Sequence, residues 1–152
     1  RKIGGTSDIS AGQLIDRTGV ALGLAFPAGK ALDALSRTGR PTKGFAVKLN
    51  GLTFSLSGME NQVKARLEAG EAAADVARFA VATVAGTIRR VTDRALEEYP
   101  GLPVLCSGGV ASNSLLREAL EDAVFAPPAC SADNALGVAV LAHRAWTQGW
   151  QP

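Results

Sequence analysis

At 152 residues the chain is about one domain long, and its 47% hydrophobic content suffices for a packed core and excludes a disordered protein. A formal net charge of +2 is too small to argue by itself for a nucleic-acid binder. The two cysteines, Cys106 and Cys130, stand far apart with no Cys-x-x-Cys, which argues against a zinc knuckle or a disulfide framework and predicts buried thiols.

No apolar run reaches the length of a membrane span and no leader pattern is visible, so a soluble, cytoplasmic protein is expected. Arg1-Lys2-Ile3-Gly4-Gly5 reads as the interior of a longer polypeptide. Gly4-Gly5-Thr6-Ser7-Asp8 ends a strand or hairpin, and Ser7 or Asp8 is placed to cap a helix from Ile9 toward Leu22. Gly12 and Gly19 lie inside that helix, each costing about 1 kcal/mol relative to Ala, which predicts close packing or close ligand approach. Gly23 to Gly29 breaks the pattern, and Lys30 to Arg37 reads as a short helix.

Arg37, Arg40, Lys43 and Lys48 then fall in a stretch without an acid, interleaved with Gly39, Pro41 and Gly44, and read as a basic, solvated loop with one possible phosphate-facing edge. Ala46 to Leu49 and Leu52 to Ser57 alternate as strands around an Asn50-Gly51 turn, a strong hairpin signal. Ser57-Gly58-Met59-Glu60 has capping-box spacing and should open a helix through about Leu67, ended by Gly70. From Ala72 to Glu98 runs the longest helical pattern, with Val81, Val84, Ile88, Val91 and Ala95 on one stripe. Its Arg/Asp pairs predict a solvated face held by i,i+4 contacts and not a nucleic-acid surface.

Pro103-Val104-Leu105-Cys106 followed by Ser107-Gly108-Gly109 and then Asn113 to Ala123 reads as strand, tight turn and helix. The glycines permit close backbone approach, and a helix start offers N–H groups to an anion; plain turn-and-cap chemistry explains the same residues. Val124 to Pro128 predicts a short strand at an edge or ending in its prolines, and Ser131 to Asn134 should open an apolar helix from Ala135 to Trp146. Asn113 and Asp133 are therefore expected near one another at one sheet edge. The layering is α/β.

Phosphate-binding P-loop, dinucleotide and nucleophile-elbow motifs are absent, and the one histidine, His143, reads as a packed or surface residue. The remaining candidates are Asp8, Asp16, Gly29, Ser107, Gly108, Gly109, Asn113 and Asp133, a glycine-lined rim with hydroxyls and carboxylates that suits a nucleotide. A metal site built wholly from this chain would have to be mainly carboxylate.

Gly4 to Arg17 resembles the Gly-x-Thr-x-Asp-Asp-Ala-x-Gly-Glu-x-x-Asp-Lys segment of the tRNA threonylcarbamoyladenosine synthase family, earlier labelled O-sialoglycoprotein endopeptidases, or glycoproteases (peptidase M22). Leu22 to Gly29 is similar to Leu-Gly-Leu-x-Tyr-Pro-Gly-Gly, and Phe54 to Met59 to Phe-Ser-Phe-Ser-Gly-Leu. Gly108 to Arg117 is similar to Gly-Gly-Val-Ala-Ala-Asn-x-x-Leu-Arg, and Asp133-Asn134-Ala135 matches Asp-Asn-Ala. The five motifs occur in the family's order and span nearly the whole chain.

The resemblance implies the C-terminal lobe of an actin-like ATPase (ribonuclease H-like) fold, a mixed sheet with packed helices, over residues 1–152. It implies a transferase of tRNA processing that moves threonylcarbamoyl from threonylcarbamoyl-AMP to adenine of tRNA. Asp16 and Gly29 would bind the sugar end of ATP or threonylcarbamoyl-AMP, Gly108, Gly109 and Asn113 the adenylate, and Asp133 one divalent metal, iron or zinc. No catalytic group is assigned. The family's two metal-binding histidines belong to the preceding, N-terminal lobe, so this lobe alone is expected to be inactive. Ile9, Gln13, Arg17 and Ala28 depart from the pattern and favour a diverged paralogue. The alternatives are a non-catalytic actin-like scaffold or dimerisation partner and, third, the metalloprotease of the older label. The expected partners are the N-terminal lobe, tRNA, and an actin-like pathway protein or a second copy, with no membrane.

Overall fold

A computed structural model describes residues 1–131 and 135–149. Strand β1 (Gly5–Thr6) leads to helix α1 (Ala11–Ala21) and then α2 (Gly29–Ser36). An extended loop follows, then strands β2 (Leu49–Asn50) and β3 (Thr53–Phe54) and helices α3 (Gly58–Glu68) and α4 (Ala73–Glu98). Strand β4 (Leu105–Cys106), a short 3-10 helix over Gly109–Ser112, helix α5 (Ser114–Ala119), strand β5 (Val124–Phe125), and helices α6 (Pro128–Ser131) and α7 (Ala135–Gln148) complete the order. One sheet runs β1-β3-β2, with β1 parallel and β2 antiparallel to β3; a second pairs β4 and β5 in parallel. The result is a mixed α/β fold with packed helices, its strands divided between two small sheets.

Helix α4 organises the core. Its 26 residues extend about 39 Å at 1.5 Å per residue. Val76, Ala77, Phe79, Ala80, Val81, Val84 and Ala85 are buried, so apolar residues leave it on several sides instead of along one stripe. Val81 and Ala85 pack with Leu32 of α2 and Leu115, Leu116 and Leu120 of the α5 region. Phe79 and Val84 pack with Leu14, Val47, Leu56 and Met59. Two buried threonines are tolerated because each hydroxyl is bonded: Thr83 Oγ1 donates to Phe79 O at 2.8 Å, and Thr87 Oγ1 to Thr83 O at 2.7 Å.

Several expected details shift. Helix α1 is capped by Ser10, not Ser7 or Asp8: Ser10 Oγ accepts from Gln13 N at 3.1 Å, and Gln13 Oε1 accepts from Ser10 N at 2.8 Å, a complete capping box. Asp8 is drawn away by the backbone of Leu56 and Ser57. Ser57 precedes α3 with helical backbone and makes no side-chain cap, so its capping-box spacing is not used. The hairpin pairs Leu49 with Phe54 and Asn50 with Thr53, which moves the turn by one residue to Gly51-Leu52, with Gly51 at φ 57°. Helix α5 stops at Ala119, short of Ala123.

Gly19 owes its place to packing. A Cβ there would stand 2.2 Å from the Cβ of Ala28, so α1 and the start of α2 approach as they do only because the side chain is missing. Gly12 meets only ordinary contact, with Val110 Cγ2 at 3.7 Å. The buried-thiol expectation fails for Cys130, which is exposed beside the two prolines that open α6; Cys106 is half-buried, and both are free. Burial pushes the Cys106 thiol up, with the Arg117 guanidinium opposing it. His143 is exposed on α7. No described helix is long and apolar enough to cross a membrane.

Candidate functional site

Two carboxylates tie three helices together, Asp16 joining α1 to the start of α2 and Asp33 joining α2 to the start of α5. Asp16 on α1 is half-buried, and its Oδ1 accepts from Ala28 N at 2.8 Å, which fixes the turn into α2 and sets Gly29 as that helix's first residue. One turn further along α2, Asp33 is also half-buried. Its carboxylate accepts from Asn113 Nδ2 at 2.9 Å, from Ser114 Oγ at 2.9 Å and from Ser114 N at 3.2 Å. Asn113, 8% exposed, caps α5 in addition, its Oδ1 accepting from Leu116 N at 3.1 Å.

Gly108 and Gly109 lie just upstream and are exposed. Gly108 has φ 96°, a conformation that glycine adopts without strain, and a Cβ on either residue would meet nothing within 4 Å. A Cβ at Gly12 of α1 would lie 3.7 Å from Val110 Cγ2 in the 3-10 helix. Asp16 and Gly29 thus stand at the junction of α1 and α2, and Asn113 is tied to α2 through Asp33, with Gly108 and Gly109 a few residues before it. Asp133 lies outside the described residues, and so does its expected approach to Asn113.

Arg117 braces the glycine turn from behind. Its Nε donates to Ala111 O at 2.9 Å and its Nη2 to Ala126 O at 2.8 Å, and its guanidinium carbon stands 4.7 Å from the centroid of the Phe125 ring. The turn after β4 is therefore tied to the end of β5.

Asp33 is the member that sequence reading missed. It sits four residues after Gly29 on the same helix face, which is the one local signal it carries; its partners are 80 residues away. Asp8, a candidate from the sequence, belongs elsewhere. Its carboxylate accepts from Leu56 N at 2.8 Å, Ser57 N at 3.3 Å, Thr6 Oγ1 at 3.1 Å and the Ser55 hydroxyl. Those donors, that hydroxyl foremost, hold it well below the ordinary carboxylate range. Asp8 is thus a clasp between β1 and the turn after β3.

Two surface hollows share no residue with the rim: one of about 260 Å³ among Arg40, Arg66, Asp75 and Phe79, and one of about 360 Å³ between α1 and α3. The rim is an open face. Among the described residues no three His, Cys, Asp or Glu side chains converge to hold a metal ion. The described residues therefore do not form a complete metal site by themselves.

The family model TsaD, tRNA N6-adenosine threonylcarbamoyltransferase, matches residues 1–139. The chain belongs to this family. It is 38% identical over 131 residues to the tRNA N6-adenosine threonylcarbamoyltransferase of Enterococcus faecalis, covering 80% of this chain and 38% of that one. It is 32% identical over 168 residues to the relative of the same name in Lactococcus lactis subsp. cremoris, covering 98% and 49%. Against solved structures it resembles HypF of T.kodakarensis, with a TM-score of 0.63 and 25% identity over 77% of this chain and 17% of that one. That likeness is consistent with a lobe of the actin-like ATPase fold. The chain spans half or less of the length of these tRNA N6-adenosine threonylcarbamoyltransferase relatives.

Proposed function

We propose that residues 1–152 form the C-terminal, adenylate-facing lobe of a threonylcarbamoyl transferase acting on adenine of tRNA, its other wall supplied by a preceding lobe. The observation that supports this reading is the pair of ties through α2, Asp16 to Ala28 N and Asp33 to Asn113, with the exposed Gly108-Gly109 turn just before Asn113 in the chain. The names of the relatives supply the reaction.

Each group has a role in this reading. Asp16 spends one carboxylate oxygen on Ala28 N and keeps the other for a ribose hydroxyl next to Gly29. Asn113 gives one amide hydrogen to Asp33 and retains a second to orient the nucleotide. Gly108 and Gly109 let a phosphate approach the main chain, where N–H groups favour the charge that develops as it leaves. In the transfer the adenine amino nitrogen bonds to the carbamoyl carbon, the carbon–oxygen bond to phosphate breaks, AMP departs with the electron pair, and the amino group loses a proton. The described residues assign no base for that proton.

The metal is a separate matter. Asp133 is proposed as one ligand, with the remainder coming from outside this chain, and no step is derived through it. The departures at Ile9, Gln13, Arg17 and Ala28 leave Asp16, Gly29 and the glycine turn in place, which supports adenylate binding in this chain as well.

Titrating ATP into the intact, two-lobed protein by calorimetry tests the reading. Saturable binding is expected, weakened at least tenfold by Asp16→Ala and by Gly108→Ala, whose φ of 96° disfavours a side chain. A chain that shows no saturable heat at millimolar nucleotide, with its fold intact by circular dichroism, would sink it. Dimerisation of such a chain would favour the scaffold alternative.

A further inference from the structure

The loop between α2 and β2 does not wander through solvent. It tracks along α4, fixed at successive heights. Arg40 N and its guanidinium bond Asp75, at 2.7 and 2.8 Å. Phe45 N donates to Thr83 Oγ1 at 2.7 Å. Val47 O accepts from Arg90 Nη2 at 2.9 Å, and Gly51 O from Arg94 Nη1 at 3.2 Å. From Asp75 to Arg94 is about 28 Å of helix.

This strip is basic, and its charge is not cancelled. Residues 34–59 contain no acid, and between Asp75 and Glu97 the one acid on α4 is Asp93, which pairs with Arg89 at 2.8 Å. Arg90 and Arg94 bond neutral carbonyls, which leaves their charge whole, and Lys43 and Lys48 are exposed on the loop. The solvated-face reading of α4 holds for Arg89 and Asp93 and not for Arg90 and Arg94. Phe45, 44% exposed, lies between the two lysines.

We infer that Lys43, Lys48, Arg90 and Arg94, with Phe45, form a docking strip for the RNA substrate's phosphate backbone. The inference rests on the tRNA reading proposed above and adds the surface. Guanidinium groups held in place by one carbonyl bond keep further N–H donors for phosphate oxygens, and an exposed aromatic among cations offers a face on which an unpaired base stacks. The strip itself lies beside α4 from Thr83 to Arg94, about 17 Å of helix, which is enough to meet two or more phosphates of one strand.

The test is fluorescence anisotropy of a labelled, unmodified tRNA transcript titrated with the intact, two-lobed protein at several salt concentrations. The fourfold variant Lys43→Gln/Lys48→Gln/Arg90→Gln/Arg94→Gln is expected to lose at least tenfold in affinity, and its log–log salt dependence to flatten by about 0.7 to 0.9 for each phosphate contact removed. Because Arg90 and Arg94 also hold the loop, Lys43→Gln/Lys48→Gln is measured as well; it should lose affinity with an unchanged melting temperature. Lys2→Gln/Lys64→Gln, which removes two charges outside the strip as Lys43→Gln/Lys48→Gln does within it, should bind as the parent does. Wild-type affinity in the Lys43/Lys48 variant, no tRNA binding by the parent at low salt, or equally tight binding to phosphatidylserine vesicles or polyglutamate would each overturn the strip. ATP titrated into the same samples separates the two readings: ATP binding kept while tRNA binding is absent removes the strip alone. Strip-dependent tRNA binding without ATP binding supports the strip and removes the adenylate site.

Discussion

Asp33 on α2 holds Asn113, 80 residues later in the chain, by a 2.9 Å bond from Nδ2, and takes the Ser114 N–H and hydroxyl on the same carboxylate. Removing it leaves three donors in a half-buried place with nothing to accept them. Asp33→Ala is therefore expected to cost about 1 to 3 kcal/mol in urea denaturation, since an orphaned donor costs its full desolvation. Asn113→Ala made on top of it should add much less than it does alone, because the two share a contact. Strict additivity in that double-mutant cycle would show that the contact contributes nothing.

Asp8 gives a pH dependence with a definite sign. Its donors lower the folded-state pKa, so on acidification the unfolded chain takes up the proton first, at about pH 3.9. The stabilisation is complete above that pH and is lost as pH falls toward the folded value. The melting temperature of the parent should exceed that of Asp8→Asn most clearly at neutral pH, and the gap should close as pH drops below about 4. A gap that stays constant from pH 7 to pH 2 would mean that ionisation of Asp8 is not its source.

How much of this could be read from the sequence depended on how far each cause reaches along the chain. The long helix was visible because Val81, Val84 and Ile88 recur with helical period, and the ends of α2 and α3 fell within a residue or two. The rim candidates came from turn residues and from motif resemblance; the structure ties Asp16 to Ala28 N and Asn113 to Asp33, and leaves Gly108 and Gly109 exposed. Asp33 was missed, since its partners are distant and a lone Asp on a short amphipathic helix looks solvated. The cap at Ser57 was a false local signal: spacing alone does not show that the preceding backbone is already helical. The charge of the loop was legible, but its course along α4 was not, because the contacts at Thr83, Arg90 and Arg94 are tertiary.

Two glycines in helices should respond in opposite directions. Gly19→Ala drives a Cβ to within 2.2 Å of Ala28 Cβ and should destabilise by about 1 to 3 kcal/mol through overpacking at the junction of α1 and α2. Gly86→Ala in α4 meets nothing within 4 Å and should stabilise by about 0.5 to 1 kcal/mol, by restricting the unfolded chain and raising helix propensity. Chemical denaturation of both variants checks the packing at each site. A stabilising Gly19→Ala would contradict the close approach of the two helices.

Arg117 is expected to act as a brace whose loss is felt locally before it is felt globally. Its two bonds, to Ala111 O and Ala126 O, tie the 3-10 helix after the glycine turn to the end of β5, and its guanidinium carbon stands 4.7 Å from the Phe125 ring centroid. A lysine carries the charge but lacks the planar fork that reaches two carbonyls at once. Arg117→Lys should therefore lower stability by about 1.5 to 3 kcal/mol. It should also speed amide hydrogen exchange over residues 109–112 and 124–126, with the buried centre of α4 changed only in proportion to the global loss. If exchange in those two segments instead rises only by that same proportion, Arg117 is ordinary surface packing and the glycine turn is held by something else.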